Sequence, residues 1–295
     1  MTATLPPVSI GIPFFNAELF LLDAIKSVFA QTHEDWELIL MDDGSTDRSL
    51  EIARSIDDPR VRVFSDGKNK KLAARLNEIT LLAKFDYVAR MDADDLMATD
   101  RIRAQLAYLV EKPEIDLVTT GVCSITDESV PYGIRTVEPN HHLTPYRTLG
   151  GGHGIVHAAV AGRKAWFLRN PYDPADHWAE DYKLWVRACR ANDLSVGFIK
   201  DPLYFYREEG SASVAKMLAA QKVGRMVVSA NGLAMVGVVR TSYLLTRSFT
   251  KTLLIRIASV LGVTGYIVKR RSPSRDDRVF ELVAVDIDRI ELAKV

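Results

Sequence analysis

Tyr87-Val88-Ala89-Arg90-Met91-Asp92-Ala93-Asp94-Asp95 passes from a strand-like apolar run straight into three carboxylates. Leu38-Ile39-Leu40-Met41 makes the same transition into Asp42-Asp43. Carboxylates gathered where strands stop repel one another and resist losing water, so a fold that brings them together calls for an offsetting cation. Asp92 and Asp94 lie two apart and, in an extended segment, share a face from which both reach one divalent ion. Hard oxygen ligands suit Mg2+ or Mn2+, whereas zinc would want His or Cys close by.

Outward from these clusters the chain alternates. Val8 to Ile12 is a short apolar run closed by Pro13, and Glu18 to Ala30 carries Leu21, Leu22, Ile25, Val28 and Phe29 at helical spacing. Strand 36–41, helix 47–56, strand 61–64, helix 71–83 and strand 87–91 continue the rhythm, then a helix over about 100–111 and a strand over 116–120. Regular β-α alternation predicts an α/β fold with a doubly wound, mostly parallel sheet. Ligands of such sheets bind outside the carboxyl ends of the strands, where Asp42, Asp43, Asp92 and Asp94 fall. After a looser stretch with Pro131, Pro139, Pro145 and Gly150-Gly151-Gly152, residues 157–160, a helix over about 180–191 and a strand over 195–199 form a second half of the cleft. The catalytic unit is placed at 1–210. A mainly helical C-terminal extension follows at 211–295, with 215–268 helical and 279–287 read as a strand from its alternation.

Composition narrows the function classes. With 295 residues, 47% hydrophobic and 26% charged, the chain has material for a large buried core. Its formal net charge of zero hides an asymmetry: no Asp or Glu occurs from Gly210 to Arg275, a span holding eleven Lys and Arg. An acidic body is joined to a basic tail that ends in Lys269-Arg270-Arg271. Two readings of that tail stay open: helices lying on an anionic membrane surface, or helices packed on the acidic body or in a homodimer. Nucleic acid is disfavoured, since no aromatic platform accompanies the charge. Met226 to Val239 and Ile257 to Val268, the longest uncharged stretches of the tail, are each too short to span a bilayer. Cys123 and Cys189 stand apart in apolar runs, and Met1 to Ser9 lacks a secretory leader, so a reducing, cytoplasmic setting is expected, with peripheral attachment to the inner face of the plasma membrane as its variant.

Four motifs in order, Ile12-Pro13-Phe14-Phe15-Asn16, Asp42-Asp43-Gly44-Ser45-Thr46-Asp47, Asp92-Ala93-Asp94-Asp95 and Glu180-Asp181-Tyr182-Lys183-Leu184-Trp185, resemble the inverting family 2 glycosyltransferases of GT-A fold. The resemblance spans about residues 8 to 210. It implies a nucleotide-diphosphate sugar donor, UDP-linked by default, and a saccharide or lipid-linked acceptor in surface polysaccharide or glycolipid synthesis. Pro13, Phe14 and Asp42 or Asp43 would hold the nucleoside. By the same likeness Asp92 would face ribose or metal, and Asp94 would be the principal ligand of Mn2+ or Mg2+. Asp181 would be the base that activates an acceptor hydroxyl, with Glu180 its rival. His157 and Arg163 fall where relatives carry a His and a basic residue beside the diphosphate, and Tyr206-Arg207 resembles a Tyr-Arg pair whose Arg binds phosphate. Two departures stand out: Glu208-Glu209 where relatives have a His, and Lys71 where a Gly is usual.

Each motif also has a plainer reading. Asp42 to Asp47 forms a β-α turn in which Gly44 permits the bend and Ser45 or Thr46 caps the next helix. Glu180-Asp181 is favourable helix N-terminal charge, and Trp178 and Trp185 are core or an apolar wall. A non-catalytic sugar-nucleotide-binding assembly subunit is the alternative from another class, opposed by the presence of Asp92, Asp94 and Asp181 together. A sugar-phosphate nucleotidylyltransferase would want a Gly-rich N-terminal loop, which Pro13-Phe14-Phe15-Asn16 is not, and no Walker-type loop occurs.

Overall fold

The computed structural model describes residues 4–139, 141–176, 179–208, 213–262 and 274–295. Trp178, the boundary at Gly210 and the cluster Lys269-Arg270-Arg271 lie outside the described residues, as does the second half of the run from Ile257 to Val268.

The strands are β1 (Val8–Phe14), β2 (Trp36–Asp42), β3 (Val61–Phe64), β4 (Tyr87–Arg90), β5 (Leu96–Met97), β6 (Leu117–Ile125), β7 (Pro131–Arg135), β8 (Ala161–Arg163) and β9 (Val196–Arg207). They form one sheet in the order β3-β2-β1-β4-β8-β6-β9-β5, with β7 paired to β6. The first four lie parallel, and β8 runs against both β4 and β6, so the sheet is parallel in its first half and mixed beyond it. β1 and β2 are buried at every position, which is why they read as unbroken apolar runs rather than alternating ones.

Helices α1 (Leu21–Phe29), α2 (Ser49–Arg54), α3 (Lys71–Leu82), α4 (Arg101–Glu111), α5 (Pro145–Leu149), α6 (Lys164–Arg169) and α7 (Glu180–Arg190) accompany the strands. In α1 the buried Leu21, Ala24, Ile25 and Val28 make one stripe, packed with Ile10, Ile12 and Leu38 of the sheet. α3 lies so close to β1 that a Cβ on Gly11 would fall 2.3 Å from a methyl of Ile79.

Three expectations change. Residues 157–160 open with a 3-10 turn, His157–Ala159, and the strand follows at β8. β9 runs on unbroken to Arg207, where residues 195–199 alone were expected, because its far half pairs with both β5 and β6. Residues 279–287 belong to a helix, α9 (Asp277–Glu291), not a strand. Val279, Val283 and Ile287 fit helical spacing as well as alternation, Ile290 follows at helical spacing only, and Asp276 caps the helix through its side chain. α9 packs back onto the sheet with Leu96, Cys123 and Phe205.

The basic segment forms α8 (Val214–Val260), interrupted at Gly237, where φ is 77° and ψ 174°. Arg225 donates to Thr252 at 2.7 Å and Ser248 to Gln221 at 2.9 Å, and a Cβ on Gly232 would meet Thr241 at 2.6 Å. Those pairings describe an antiparallel hairpin with its turn at Gly237. By length and composition alone the whole of α8 would suffice to cross a membrane, but the break at Gly237 divides it into two arms that pack on each other. Val227, Val228 and Leu244 dock the hairpin on Leu149 of α5 and Val186 of α7, while Leu233, Val238, Val239, Leu253 and Leu254 are exposed.

Candidate active site

The carboxyl ends of β1, β2, β4, β6 and β9 share one edge of the sheet, and the site is built there. The loops after β1 and β2 are tied together: Asn16 accepts from the Thr46 N–H at 2.8 Å, Ala17 N–H donates to Ser49 at 2.7 Å, and Glu18 N–H to Asp47 at 3.1 Å. Pro13 and Phe14 are buried at the end of β1, Phe14 in the core, and Phe15 is the exposed ring of that loop.

Asp42 accepts from Ser45 N–H at 2.9 Å and from the Ser65 hydroxyl at 2.7 Å. Asp43 receives the backbone N–H groups of Lys70 and Lys71 at 2.7 and 3.1 Å and the guanidinium of buried Arg75 at 2.9 Å. Both carboxylates thus hold the turn together, and the helix after it starts at Ser49 without the Ser45 or Thr46 cap that the plainer reading expected. Gly44, at φ 77°, admits the backbone of Lys68, which a Cβ would meet at 2.9 Å. Lys71 sits at φ 70°, a left-handed conformation that costs an L-residue about 1–2 kcal/mol.

Past β4, Asp92 is paired with Arg90, and its N–H donates to the Tyr204 hydroxyl at 3.1 Å. That hydroxyl donates to buried Asp95 at 2.7 Å, whose other oxygen accepts from Arg207 N–H at 2.8 Å. Burial, then the charges of Asp92 and Asp94, push the Asp95 pKa well above the carboxylate range. Asp94 is exposed, and crowding by protein followed by the Asp92 charge raises its pKa too. Behind this cluster lie two buried arginines, Arg90 and Arg101, the latter donating to the Arg90 carbonyl at 2.9 Å. Part of the offset that the clustered acids require therefore comes from the protein itself.

Arg207 is committed elsewhere than expected. Its guanidinium donates to the carbonyls of Asp94 and Thr126, at 2.8 and 2.9 Å, and to that of Asp127, and it stacks on Phe20. It clamps the acidic loop to the turn after β6, with its donors spent on backbone. Arg163 stands at the opposite edge of the sheet, paired in register with Tyr87 and bonded to Tyr87, Ile115 and Leu109. The structure does not bring it to the other candidates.

His157 is half-buried against Trp185, its Nε2 2.7 Å from the Tyr172 hydroxyl. Loss of water, then the nearby Arg90 charge, holds its pKa well below the usual imidazole value. Trp185 itself is core. Glu180 and Asp181 occupy the first turn of α7, entered through Ala179 at φ 60°. Desolvation, then Asp181, raises the Glu180 pKa. Arg90 is paired with Asp92, and the charge of Asp181 acts on it more weakly.

Arg90 is what the sequence reading missed. Its Nε and Nη1 are buried without a hydrogen-bond partner among the described residues. A charge inside an otherwise apolar strand, two places before Asp92 and so on the same face, was the available signal. Among the described residues no three His, Cys, Asp or Glu side chains converge to cage an ion. Asp92 and Asp94 still fit a hard divalent cation, since both offer oxygen ligands alone. Such an ion would keep positions for ligands from substrate and water.

Comparison with known proteins gives concordant matches. The profile of the family described as glycosyl transferase family 2 matches residues 9–169. The putative glycosyltransferase EpsE of Bacillus subtilis is 30% identical over 213 residues, 70% of this chain and 75% of that protein. The putative teichuronic acid biosynthesis glycosyltransferase TuaG of the same organism is 34% identical over 38% of this chain and 45% of that protein. Among solved structures, S. aureus TarS 1-349 in complex with UDP superposes with a TM-score of 0.61 at 16% identity, over 82% of this chain and 70% of that one. The mannosyltransferase PcManGT from Pyrobaculum calidifontis, in complex with GDP-Man and Mn2+, gives 0.60 at 14%, over 98% and 87%. These likenesses show the fold, a GT-A arrangement with a helical C-terminal extension.

Proposed function

Since the chain belongs to glycosyl transferase family 2, we propose that it moves a sugar from a nucleotide-diphosphate donor to an acceptor hydroxyl with inversion at the anomeric carbon. The observation that carries this reading is the acidic loop after β4, where Arg90 pairs with Asp92 and Tyr204 ties Asp92 to Asp95 at the carboxyl edge of the sheet. The donor's nucleoside lies against the tied loops after β1 and β2, near Pro13, Phe14, Asp42 and Asp43. Asp94 and Asp92 hold Mn2+ or Mg2+, which when bound supplies charge stabilisation to the departing nucleoside diphosphate. Asp181 accepts the proton of the acceptor hydroxyl as that oxygen attacks from the face opposite the leaving group. Glu180, with its raised pKa, is the second candidate for the base. Arg90 keeps Asp92 oriented. His157, neutral and bonded to Tyr172, shapes the wall beneath the diphosphate.

Relatives whose names include teichuronic acid biosynthesis, and neighbours holding UDP or GDP-Man, support a role in surface polysaccharide or glycolipid synthesis with a UDP-linked sugar tried first. The setting proposed is cytoplasmic, at the inner face of the membrane. Thermal-shift screening of nucleoside diphosphates and their sugars, with and without manganese, tests the donor. Asp94→Ala is expected to remove the manganese-dependent part of the donor shift. Asp181→Asn is expected to keep that shift while transfer falls about 1,000-fold or more. Retained turnover in Asp181→Asn moves the base to Glu180, and a donor shift indifferent to manganese and to Asp94→Ala removes the metal from the reading.

A further inference from the structure

The second arm of α8, from Val238 to Val260, has two unlike faces. Thr241, Leu244, Ile255 and Ala258 are buried on one of them. There Thr241 lies against Gly232 of the first arm, Thr252 accepts from Arg225, and Leu244 packs with Leu149 of α5. Turned about half a circle away, Val239, Tyr243, Leu253, Ile257 and Val260 stand 46–87% exposed, with exposed Thr246 and Thr250 at the positions between. The steps from 239 to 260 are four, three, four, three, four and three residues, so these side chains keep to one stripe along about 30 Å of helix. A soluble monomer rarely leaves a contiguous apolar strip of that length open to water.

Arginines border the stripe. At the helical angle of about 100° per residue, Arg240 and Arg247 fall along one margin and Arg256 along the other. None of the three is ion-paired among the described residues: Arg247 donates to the Gly150 carbonyl at 2.8 Å and Arg240 lies over the Tyr146 ring, both neutral partners. α8 itself holds no Asp or Glu. An arginine at the edge of an apolar face keeps its stem along hydrocarbon while its guanidinium reaches a layer of phosphates.

We propose that this outer face of the second arm lies in the surface of an anionic bilayer, its apolar stripe sunk to the acyl boundary and Arg240 and Arg256 set on lipid phosphates. Charge selects the occupant: a second copy of the same face would set arginine against arginine, whereas anionic headgroups meet both margins at once. The proposal names the contact through which the membrane setting given above is reached, and it rests on that setting alone, not on the transfer chemistry. Leu244 and Leu149 join the arm to α5, and Val186 of α7 lies in the same cluster, so the bilayer meets the molecule on its α5–α7 side.

The test reads an environment-sensitive dye attached to Leu253→Cys, to Ile257→Cys and, as a control on the body, to Leu81→Cys at an exposed position of α3. All three are made in the full chain carrying Cys189→Ser, since the other native thiol, Cys123, is buried. Vesicles of phosphatidylglycerol and phosphatidylcholine in equal parts are expected to shift the emission to the blue at the two α8 positions and leave it unchanged on α3. Partitioning onto phosphatidylcholine alone is expected to be at least about tenfold weaker. Arg240→Gln and Arg256→Gln are each expected to lower partitioning onto the mixed vesicles about fivefold, and Leu253→Asp with Ile257→Asp at least about tenfold, with melting temperatures unchanged because all four side chains are exposed. Unchanged emission at both α8 positions on the mixed vesicles overturns the proposal, and so does equal partitioning onto the two kinds of vesicle. A dimer that falls to monomer in the double aspartate variant, read by light scattering, assigns the face to a second copy and overturns it as well. The manganese-dependent donor shift is read without vesicles, so its absence would count against the transferase reading alone.

Discussion

Arg90 keeps two buried nitrogens without partners, and each unsatisfied buried donor costs about 1–3 kcal/mol. Its ion pair with Asp92 offsets part of that cost, and orienting Asp92 is the role proposed for it. Arg90→Met, similar in length and apolar, is therefore expected to melt no lower than the wild-type chain while kcat falls about 100-fold. A melting temperature several degrees lower would show that the guanidinium is a structural prop. His157 gives a pH prediction of definite sign. Its folded pKa lies below the unfolded value of about 6.5, so the unfolded chain binds the extra proton and stability drops as pH falls beneath about 6.5. The raised carboxyl pKa values of Asp94, Asp95 and Glu180 act in the opposite direction, stabilising the folded chain as pH falls. The informative quantity is therefore the difference between wild-type and His157→Gln melting temperatures at pH 7.5 and 5.5. Acidification is expected to narrow the wild-type advantage, and an advantage that stays constant would mean that His157 is not held neutral.

At the scale of elements, the alternating first half was legible because each strand and helix there carries its own pattern, down to the acids at the ends of β2 and β4. Long-range pairing was not legible: β9 extends to Arg207 because β5 and β6 flank it, and nothing local to residues 200–207 announces those partners. α9 was misread because Val279, Val283 and Ile287 satisfy a period of two and a period near 3.6 at once, and its cap at Asp276 was the deciding signal. In the site, the positions of Asp92, Asp94 and the α7 acids followed from motif order, but the burial of Arg207's donors depends on carbonyls contributed by a turn more than 75 residues away in the chain. The hairpin hinges on Gly237, whose backbone conformation is open essentially to glycine alone and whose surroundings leave a Cβ unobstructed. Gly237→Ala is expected to cost about 1–3 kcal/mol, all of it backbone strain, and to speed amide hydrogen exchange in residues 214–260 while the sheet keeps its protection. Unchanged exchange in the arms would show that they hold one another without the turn.

For the whole molecule, charge and exposure coincide. The segment without acids carries the exposed Leu233, Val238 and Val239 at the hairpin turn and Phe249, Leu253 and Ile257 along the second arm. Its inner side is packed on α5 and α7, so docking on the body accounts for one face of the basic tail, and the membrane reading concerns the exposed face alone. Flotation with vesicles containing anionic lipid is expected at low salt and to weaken as salt rises, because each basic residue near such a surface contributes about 1 kcal/mol that ions screen. Flotation equal on zwitterionic and anionic vesicles would remove charge from the attachment. Tyr204 has a different kind of reach. By joining Asp92 and Asp95 from the far end of β9, it makes the acidic loop dependent on residues synthesised more than a hundred positions later. A nascent polypeptide leaving the ribosome can lay down β1 to β4 in turn, yet its acidic loop stays unfinished until β9 has emerged, so a fragment stopped before Tyr204 would carry the motif without its scaffold.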